Sequence, residues 1–313
     1  MNAGNMKAEI IGGEFQRQED TFRQWVRRDG SGDYPAAAGR YHLYVSLACP
    51  WAHRTIITRR LLGLEGAVGM SVVDPVRDER GWAFGQGPGH GPDPVCGFRF
   101  LSEAYLASDP HYAARVTVPV LWDRLRGCIV NNDENDLMRI FNTEFAAFAG
   151  NQVDLYPPEL EGQIEALNEW IYPTINDGVY RAGFATSQAA YERAVRRLFA
   201  SLDRLEELLA GRRYLTGKRI TAADWKLFPT LIRFDAVYHG HFKCNLRRLV
   251  DYPNLWGYVR DLYQQEGVAE TVNFDHIKRH YYVTHTDINP TRIVPLGPVL
   301  DLQAPPGRQH LGD

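Results

Sequence analysis

The chain has 313 residues, a formal net charge of −3, 44% hydrophobic and 23% charged residues, all close to the averages of soluble globular proteins. The length favours two packed domains, and the charge balance argues against a disordered chain and against a nucleic-acid-binding surface. The sequence contains no apolar run of the roughly 18 residues that a membrane span needs and no signal-peptide core. We therefore expect a cytoplasmic protein that contacts neither membrane nor nucleic acid.

The first part of the chain has the pattern of a small α/β sheet. Residues 1–38 end in a stretch rich in Gly, Ser and Pro and are predicted to form an irregular N-terminal extension. Residues 39–150 alternate predicted strands and helices in an order typical of a thioredoxin-like domain. The predicted elements are strands at 41–47, 69–73, 116–121 and 128–130, helices at 51–64 and 132–141, and a Gly- and Pro-rich loop at 81–97.

The second part of the chain is predicted to be all helical. A domain boundary is expected near 145–160, so the helical domain spans 151–283, and an irregular tail rich in Pro and Gly spans 284–313. Thr221 and Asp224 precede an apolar run and form a variant of the helix capping box, for which Asp224→Ala is expected to cost ~1–2 kcal/mol. The predicted helices are 164–171, 188–209, 222–238 and 254–265.

Cysteine and histidine spacing gives no indication of a metal site. The cysteines lack CxxC pairs and zinc-ligand spacing, so neither a disulfide framework nor a structural zinc is predicted. His276, His280 and His285 resemble a ligand string, but they lack Cys or carboxylate partners at ligand spacing. No metal is expected. The cysteines are Cys49, Cys96, Cys128 and Cys244.

Cys49 is the candidate reactive thiol. It lies between a predicted strand and Pro50, which is well suited to the first position of a helix. At a helix N-terminus, unpaired N–H groups and the helix dipole favour the thiolate, the reactive form. Ala52 stands where a thioredoxin has its second cysteine, so this monothiol needs a second thiol from a small molecule. His53 is either a cation that stabilises the thiolate or simply a polar helix residue. The other three cysteines are predicted to be structural or incidental.

Several segments resemble one known family. RYHLYVSLACPWAHRTIITRRLLGLE, GWAF at 81–84, RVTVPVLWD at 115–123, IVNN at 129–132 and MRIFN at 138–142 are similar to the N-terminal domain of the glutathionyl-hydroquinone reductases, the Xi class of glutathione transferases. GVYRAGFATSQAAYE, LTGKRITAADWKLFPTLIRFD and HIKRHYYVTHTDINPTRIVPLGP resemble the helical domain and tail. The match covers almost all of residues 40–298.

The resemblance implies a fold, an activity and an assembly. The fold is a thioredoxin-like glutathione domain followed by an all-α domain, and the assembly is a homodimer. The substrate is a small aromatic S-conjugate: Cys49 takes the glutathionyl sulfur from a glutathionyl-hydroquinone and releases the hydroquinone. A second glutathione then regenerates the cysteine. A lone thiolate at a helix N-terminus is suited to the same chemistry.

The resemblance also assigns site residues. It implies that Trp82 lies against glutathione, that Arg115 pairs with a carboxylate, and that Val118, before a cis Pro119, hydrogen-bonds the glutathione backbone. Tyr180 and Tyr281 are implied to line the aromatic pocket, where a phenol O–H bonds a hydroquinone oxygen. Without the resemblance, the sequence favours a lid over the core for Trp82, a surface charge for Arg115 and a strand-edge proline for Pro119. The two tyrosines are then equally compatible with core positions.

One motif departs from the family pattern. Residues 131–136 read NNDEND where the family usually reads NNESSE. Asp133 retains the capacity to accept from the ammonium group of glutathione, whereas Glu134 replaces a hydroxyl with a second carboxylate. Like charges beside the carboxylate of the ligand predict weak glutathione binding, or another low-molecular-weight thiol as cosubstrate.

Two other functions are compatible with the sequence, one that needs Cys49 for catalysis and one that is not catalytic. One is a broader thiol transferase of the dehydroascorbate reductase type, which needs a more open pocket. The other is a non-catalytic binding protein that has lost thiol binding through the change at residues 133–134. Retention of Cys49 and Pro50 argues against the second.

Overall fold

The computed structural model describes residues 9–311, which divide into two compact units. The sheet unit comprises Gln18–Val153 and Thr271–Thr284. The helical unit comprises residues 9–17, Asp154–Glu270 and residues 285–311.

The elements of the described residues are these, in chain order. The strands are β1 (Ile10–Ile11), β2 (Glu14–Phe15), β3 (Tyr41–Val45), β4 (Val68–Val72), β5 (Val120–Asp123) and β6 (Cys128–Asn131). The helices are α1 (Pro50–Leu61), α2 (Leu101–Ser108), α3 (Glu134–Thr143), α4 (Glu161–Ile171), α5 (Gly178–Gly183), α6 (Gln188–Ala210), α7 (Ala222–Arg233), α8 (Pro253–Tyr263) and α9 (Phe274–Thr284).

The sheet unit has the predicted thioredoxin-like topology. The sheet order is β4-β3-β5-β6, with β3 parallel to β4 and antiparallel to β5, and with β5 antiparallel to β6. All five residues of β3 are buried, as expected for a central strand whose two faces are both covered. Helix α1 connects β3 to β4, and α3 packs beside α1. This topology brings the N-termini of α1 and α3 into the same unit as the loop before β5.

Two sheet elements differ from the sequence prediction. The strand predicted at 116–121 begins only at Val120, because Pro119 has no N–H to donate to a neighbouring strand. The helix predicted at 132–141 begins at Glu134, because Asp133 takes the N-cap position and its carboxylate accepts from two backbone N–H groups. Helix α2 was not predicted at all.

The helical unit is built around long amphipathic helices. In α6, Leu198, Leu202, Leu205 and Leu209 are fully buried along one face, the spacing that the sequence predicts. Thr221 and Asp224 form the predicted capping box of α7. The helix predicted at 222–238 is α-helical to Arg233 and continues as a π-helical turn at Phe234–Tyr238.

The two units are divided differently from the predicted domains. Within the predicted extension, residues 9–17 belong to the helical unit and residues from Gln18 onward to the sheet unit. Helix α9, which the sequence pattern does not predict, falls at the end of the predicted helical domain but belongs to the sheet unit. The chain passes from one unit to the other between Val153 and Asp154, inside the predicted boundary region.

Candidate functional site

Cys49 occupies the N-cap of α1, the position that its sequence predicts. Its backbone is extended, Pro50 is the first helical residue, and the Cys49 carbonyl accepts the His53 N–H at 3.0 Å. The side chain is half-buried and the thiol is free. The residue therefore stands at the N-terminus of α1, although its sulfur accepts no capping hydrogen bond from the helix.

Val118 lies beside this sulfur. The Cys49 thiol donates to the Val118 carbonyl at 3.6 Å, and the Val118–Pro119 peptide is cis. Val118 is 3% exposed, so its backbone is held by the packed core of the sheet unit. The fold thus brings Cys49, Val118 and Pro119 together, which are residues that the resemblance assigns to one site.

The N-terminus of α3 holds the second part of the candidate site. Asp133 caps the helix and accepts from the N–H groups of Asn135 and Asp136, each at 2.9 Å. Burial, and then the charge of Glu134, raise the pKa of the Asp133 carboxyl.

Glu134 is not an uncompensated carboxylate, and this corrects the sequence-based expectation. The Arg54 guanidinium donates to Glu134 at 2.6 Å, and the two side chains are 1% and 3% exposed. The positive charge of Arg54 offsets the negative charge that was expected to repel the carboxylate of glutathione. The charge argument for another thiol therefore loses its basis.

Asp20 adds a carboxylate that the sequence analysis missed. Oxygen atoms of Asp20, Asp133 and Glu134 lie within 4.8 Å of one another. The Asp20 carboxylate accepts from Thr117 and Asn132, both at 3.4 Å. Asp20 precedes the first strand of the sheet in a segment without periodic pattern, so no local signal pointed to it.

Arginines compensate part of this acidic cluster. Arg23 lies 3.4 Å from Asp133 and also pairs with Asp136, while Arg54 pairs with Glu134. Arg23 and Arg54 thus pair with the carboxylates of Asp133, Asp136 and Glu134. Carboxylates of this kind are suited to accept hydrogen bonds from an ammonium group.

Trp82 is almost completely enclosed. It is 4% exposed, and its ring stacks on His280 with a centroid distance of 5.0 Å and an interplanar angle of 23°. The Arg77 guanidinium carbon also lies over the ring, 5.1 Å from its centroid. Only a small part of Trp82 is open for the contact with glutathione that the resemblance implies.

Arg115 lies just before Val118 and is tied to the N-terminal segment. Its backbone N–H donates to the Gln18 side chain at 3.0 Å, and its carbonyl accepts from the Gln18 amide at 2.9 Å. The Tyr112 hydroxyl donates to the same carbonyl. These bonds fix the Arg115 backbone.

The two candidate tyrosines belong to different units. Tyr281, on α9 of the sheet unit, is 1% exposed and meets the His280 ring edge-on at 5.2 Å. Tyr180, on α5 of the helical unit, is 6% exposed and packs among aromatic rings, with Phe242 at 5.4 Å and Phe184 at 6.1 Å.

His53 and the remaining cysteines have structural surroundings. The His53 ring is fully buried and hydrogen-bonds the Thr271 hydroxyl at 2.8 Å, which favours its interpretation as a polar helix residue. Burial raises the pKa of the Cys244 thiol far above its usual range. Cys96 is exposed, and Cys128 lies 3.7 Å from the Tyr34 hydroxyl. None of these three stands at a helix N-terminus.

Among residues 9–311, no helix has the length and apolar character to cross a membrane.

Comparison with known proteins identifies the family. Residues 188–261 match the glutathione S-transferase C-terminal domain. The chain is 53% identical over 304 residues to the glutathionyl-hydroquinone reductase YqjG of Escherichia coli, covering 95% of this chain and 93% of that protein. The glutathione-bound structure of YqjG superposes with a TM-score of 0.91 at 52% identity, covering 92% of this chain and 96% of that chain.

A second solved structure gives the class. The Xi-class glutathione transferase from Natrialba magadii superposes with a TM-score of 0.92 at 52% identity, covering 93% of this chain and 89% of that chain. Both the sheet unit and the helical unit thus have the predicted fold. The chain belongs to the glutathionyl-hydroquinone reductase family, the Xi class of glutathione transferases.

Proposed function

We propose that this protein is a thiol-dependent reductase that removes glutathione from S-conjugated hydroquinones through a mixed disulfide at Cys49. The observation that carries the proposal is the half-buried Cys49 thiol at the N-terminus of α1, in a chain of this family. The thiolate is the attacking species in thiol exchange, and Cys49 is a free thiol at a helix N-terminus.

The reaction takes place in two steps. The Cys49 thiolate attacks the sulfur of the conjugate, a Cys49–glutathione disulfide forms, and the aryl carbon–sulfur bond breaks. The aryl carbon keeps the electron pair and takes a proton, which yields the free hydroquinone. A second glutathione thiolate then attacks the glutathionyl sulfur of the mixed disulfide, so that glutathione disulfide leaves and the Cys49 thiolate returns. One conjugate and one glutathione give one hydroquinone and one glutathione disulfide.

Glutathione is the proposed cosubstrate, held by its γ-glutamyl end at the N-terminus of α3. Asp20 and Asp133 would accept from the ammonium group, since oxygen atoms of the two carboxylates lie within 4.8 Å of each other and Asp133 caps this helix. Charge-assisted bonds of this kind are shorter and stronger than neutral ones. The buried ion pair between Arg54 and Glu134 would hold the N-terminus of α3 in place beside this ammonium site.

The other site assignments belong to the same proposal. Trp82 and Arg115 would contact glutathione, Val118 would bond its backbone, and Tyr180 and Tyr281 would each contact the hydroquinone. The support for these roles is the family membership together with the position of Val118 beside the Cys49 sulfur.

We further propose that the protein is a cytoplasmic homodimer. Its cysteines are free thiols, which suits a reducing compartment. Three apolar side chains in the tail segment of the helical unit are exposed: Ile293 at 69%, Leu296 at 99% and Val299 at 100%. A row of exposed apolar residues is typical of an association surface. Sedimentation should show a dimer in the wild type and weaker association in Leu296→Ser/Val299→Ser.

The activity is tested by steady-state turnover of a glutathionyl-hydroquinone in the presence of glutathione. Hydroquinone is followed by chromatography, and glutathione disulfide by coupled oxidation of NADPH through glutathione reductase. The proposal predicts a one-to-one yield in the wild type and none with Cys49→Ser. Turnover by Cys49→Ser would overturn the mechanism, and a preference for dehydroascorbate would favour the broader thiol transferase.

A further inference from the structure

Helix α9 attaches to the loop that carries Trp82 through three side chains on one helical face. The His276 ring donates to the Pro88 carbonyl at 2.7 Å, and the His280 ring donates to the Pro75 carbonyl at 2.7 Å. The Thr284 hydroxyl accepts the Arg77 N–H at 3.3 Å. Residues four apart lie on the same face of a helix, so α9 holds both ends of the loop that runs from Pro75 to Pro88.

His280 differs from His276 because its ring also contacts Trp82, the residue of this loop that is proposed to contact glutathione. Its ring stacks on Trp82 at 5.0 Å with an interplanar angle of 23°. A carbonyl only accepts hydrogen bonds, so Nδ1 of His280 carries the proton toward Pro75. That bond fixes the rotation of the imidazole, and the imidazole ring lies against the Trp82 ring.

We propose that His280 is a positioning residue for the thiol site, which orients Trp82 for the bound glutathionyl group. The inference rests on the proposed function, in which Trp82 contacts glutathione. It follows from two contacts of the His280 side chain. The hydrogen bond to the Pro75 carbonyl holds the imidazole in one orientation, and the stacked imidazole in turn restricts the orientation of the Trp82 ring. Neither sequence position nor charge identifies this role.

Variants at two histidines separate positioning from stability. His280→Leu keeps apolar volume but removes the flat ring and the bond to Pro75, whereas His280→Phe keeps the ring for stacking. His276→Leu is the matched control, because it loses the same kind of bond on the same face of α9. We expect His280→Leu to raise KM for the conjugate about 3- to 10-fold, with a smaller change in kcat. His280→Phe restores KM to within about twofold of the wild type, and His276→Leu leaves KM unchanged although it lowers the melting temperature.

A binding measurement makes the result independent of turnover. The dissociation constant of glutathione is measured by calorimetric titration, with each histidine variant combined with Cys49→Ser. Only His280→Leu should bind glutathione more weakly than the protein with Cys49→Ser alone. Equal KM and equal affinity in His280→Leu and the wild type would overturn the inference, as would an equal loss in His276→Leu. If the wild type binds glutathione but does not turn over the conjugate, the proposed activity fails while the titration still decides the role of His280. A wild type that binds no glutathione overturns both.

Discussion

Arg54 and Glu134 form a buried ion pair that joins α1 to the N-terminus of α3, with 2.6 Å between the guanidinium and the carboxylate and 1% and 3% of the side chains exposed. The pair therefore ties α1, whose N-cap is Cys49, to α3, whose N-cap is Asp133. Because both charges are removed from water, their pairing offsets part of the free energy that burying each of them costs.

Removing one partner of this pair should destabilise the protein strongly. We expect Glu134→Ser to lower the free energy of unfolding by ~3–5 kcal/mol, because the buried Arg54 guanidinium loses the carboxylate that lies 2.6 Å from it. Arg54→Met should cost a similar amount. The measurement is urea-induced unfolding followed by circular dichroism.

The double variant Arg54→Met/Glu134→Leu serves as the control. Because it buries no charge, it should recover most of the stability lost in either single variant. Additive losses in the double variant, or a loss below about 1 kcal/mol in Glu134→Ser, would show that the two charges do not compensate each other.

Asp20 and Asp133 should each contribute to glutathione affinity. We expect Asp20→Asn and Asp133→Asn to weaken binding about 10-fold, the loss of a hydrogen bond to a charged group. Asp133→Asn is the milder change for the fold, since asparagine is also a good N-cap. Titration calorimetry provides the affinities.

A ligand without the ammonium group provides the control for this prediction. Glutaryl-cysteinylglycine lacks the amine and should bind the wild type and both variants alike. If the two asparagine variants weaken this analogue as much as glutathione, the carboxylates act on the fold rather than on the ammonium group.

Local patterns predicted the part of the site that depends on neighbouring residues. A strand, then Cys49, then Pro50 indicates a thiol at a helix N-terminus, and the structure confirms that position. The same holds for Asp224, whose capping box is visible within four residues. Such features depend on backbone geometry over one helical turn, which the sequence displays directly.

Contacts between distant segments could not be predicted in this way. The charge of Glu134 alone predicts repulsion, because Arg54 is 80 positions away and no local pattern pairs the two residues. Asp20 lies in an irregular segment, and His280 was weighed only as a metal ligand. Each acquires its role from tertiary packing, which places residues of separate elements side by side without leaving a periodic trace.

Asp224 should be more important for stability than an ordinary helix cap. It is fully buried, and its carboxylate accepts from the Leu215 N–H, the Thr221 N–H and hydroxyl, and the Tyr258 hydroxyl. Asp224→Ala leaves these buried donors unsatisfied, so we expect a loss of ~3 kcal/mol or more, above the ~1–2 kcal/mol of a cap alone. Thermal unfolding measures this loss, and alkylation of Cys49 by iodoacetamide should proceed at the wild-type rate in the folded variant. Slower alkylation at full stability would contradict a purely structural role.

His42 should make the protein less stable in acid. Burial lowers the pKa of His42 to about 4, whereas the unfolded chain has a pKa near 6.5. The unfolded state therefore binds the proton first as the pH falls, and stability decreases from about pH 6.5 downward toward pH 4. At pH 5 the wild type should have lost ~2 kcal/mol from this one group.

His42→Gln isolates the contribution of this group. The other titrating groups are present in both proteins and cancel in the difference of unfolding free energies. We expect that difference to be constant above pH 7.5 and to shift in favour of the variant by ~2 kcal/mol at pH 5. Parallel stability curves for the two proteins between pH 7.5 and 5 would rule out a depressed His42 pKa.

The most direct test of the central claim is single-turnover reaction of the wild type and Cys49→Ser with a glutathionyl-hydroquinone, without free glutathione. The products are analysed by chromatography and by mass spectrometry of the intact protein. The proposed mechanism predicts one hydroquinone released per active site and a glutathione adduct on Cys49 of the wild type, and neither in Cys49→Ser. Hydroquinone release without an adduct, or release by Cys49→Ser, would contradict the mixed-disulfide mechanism.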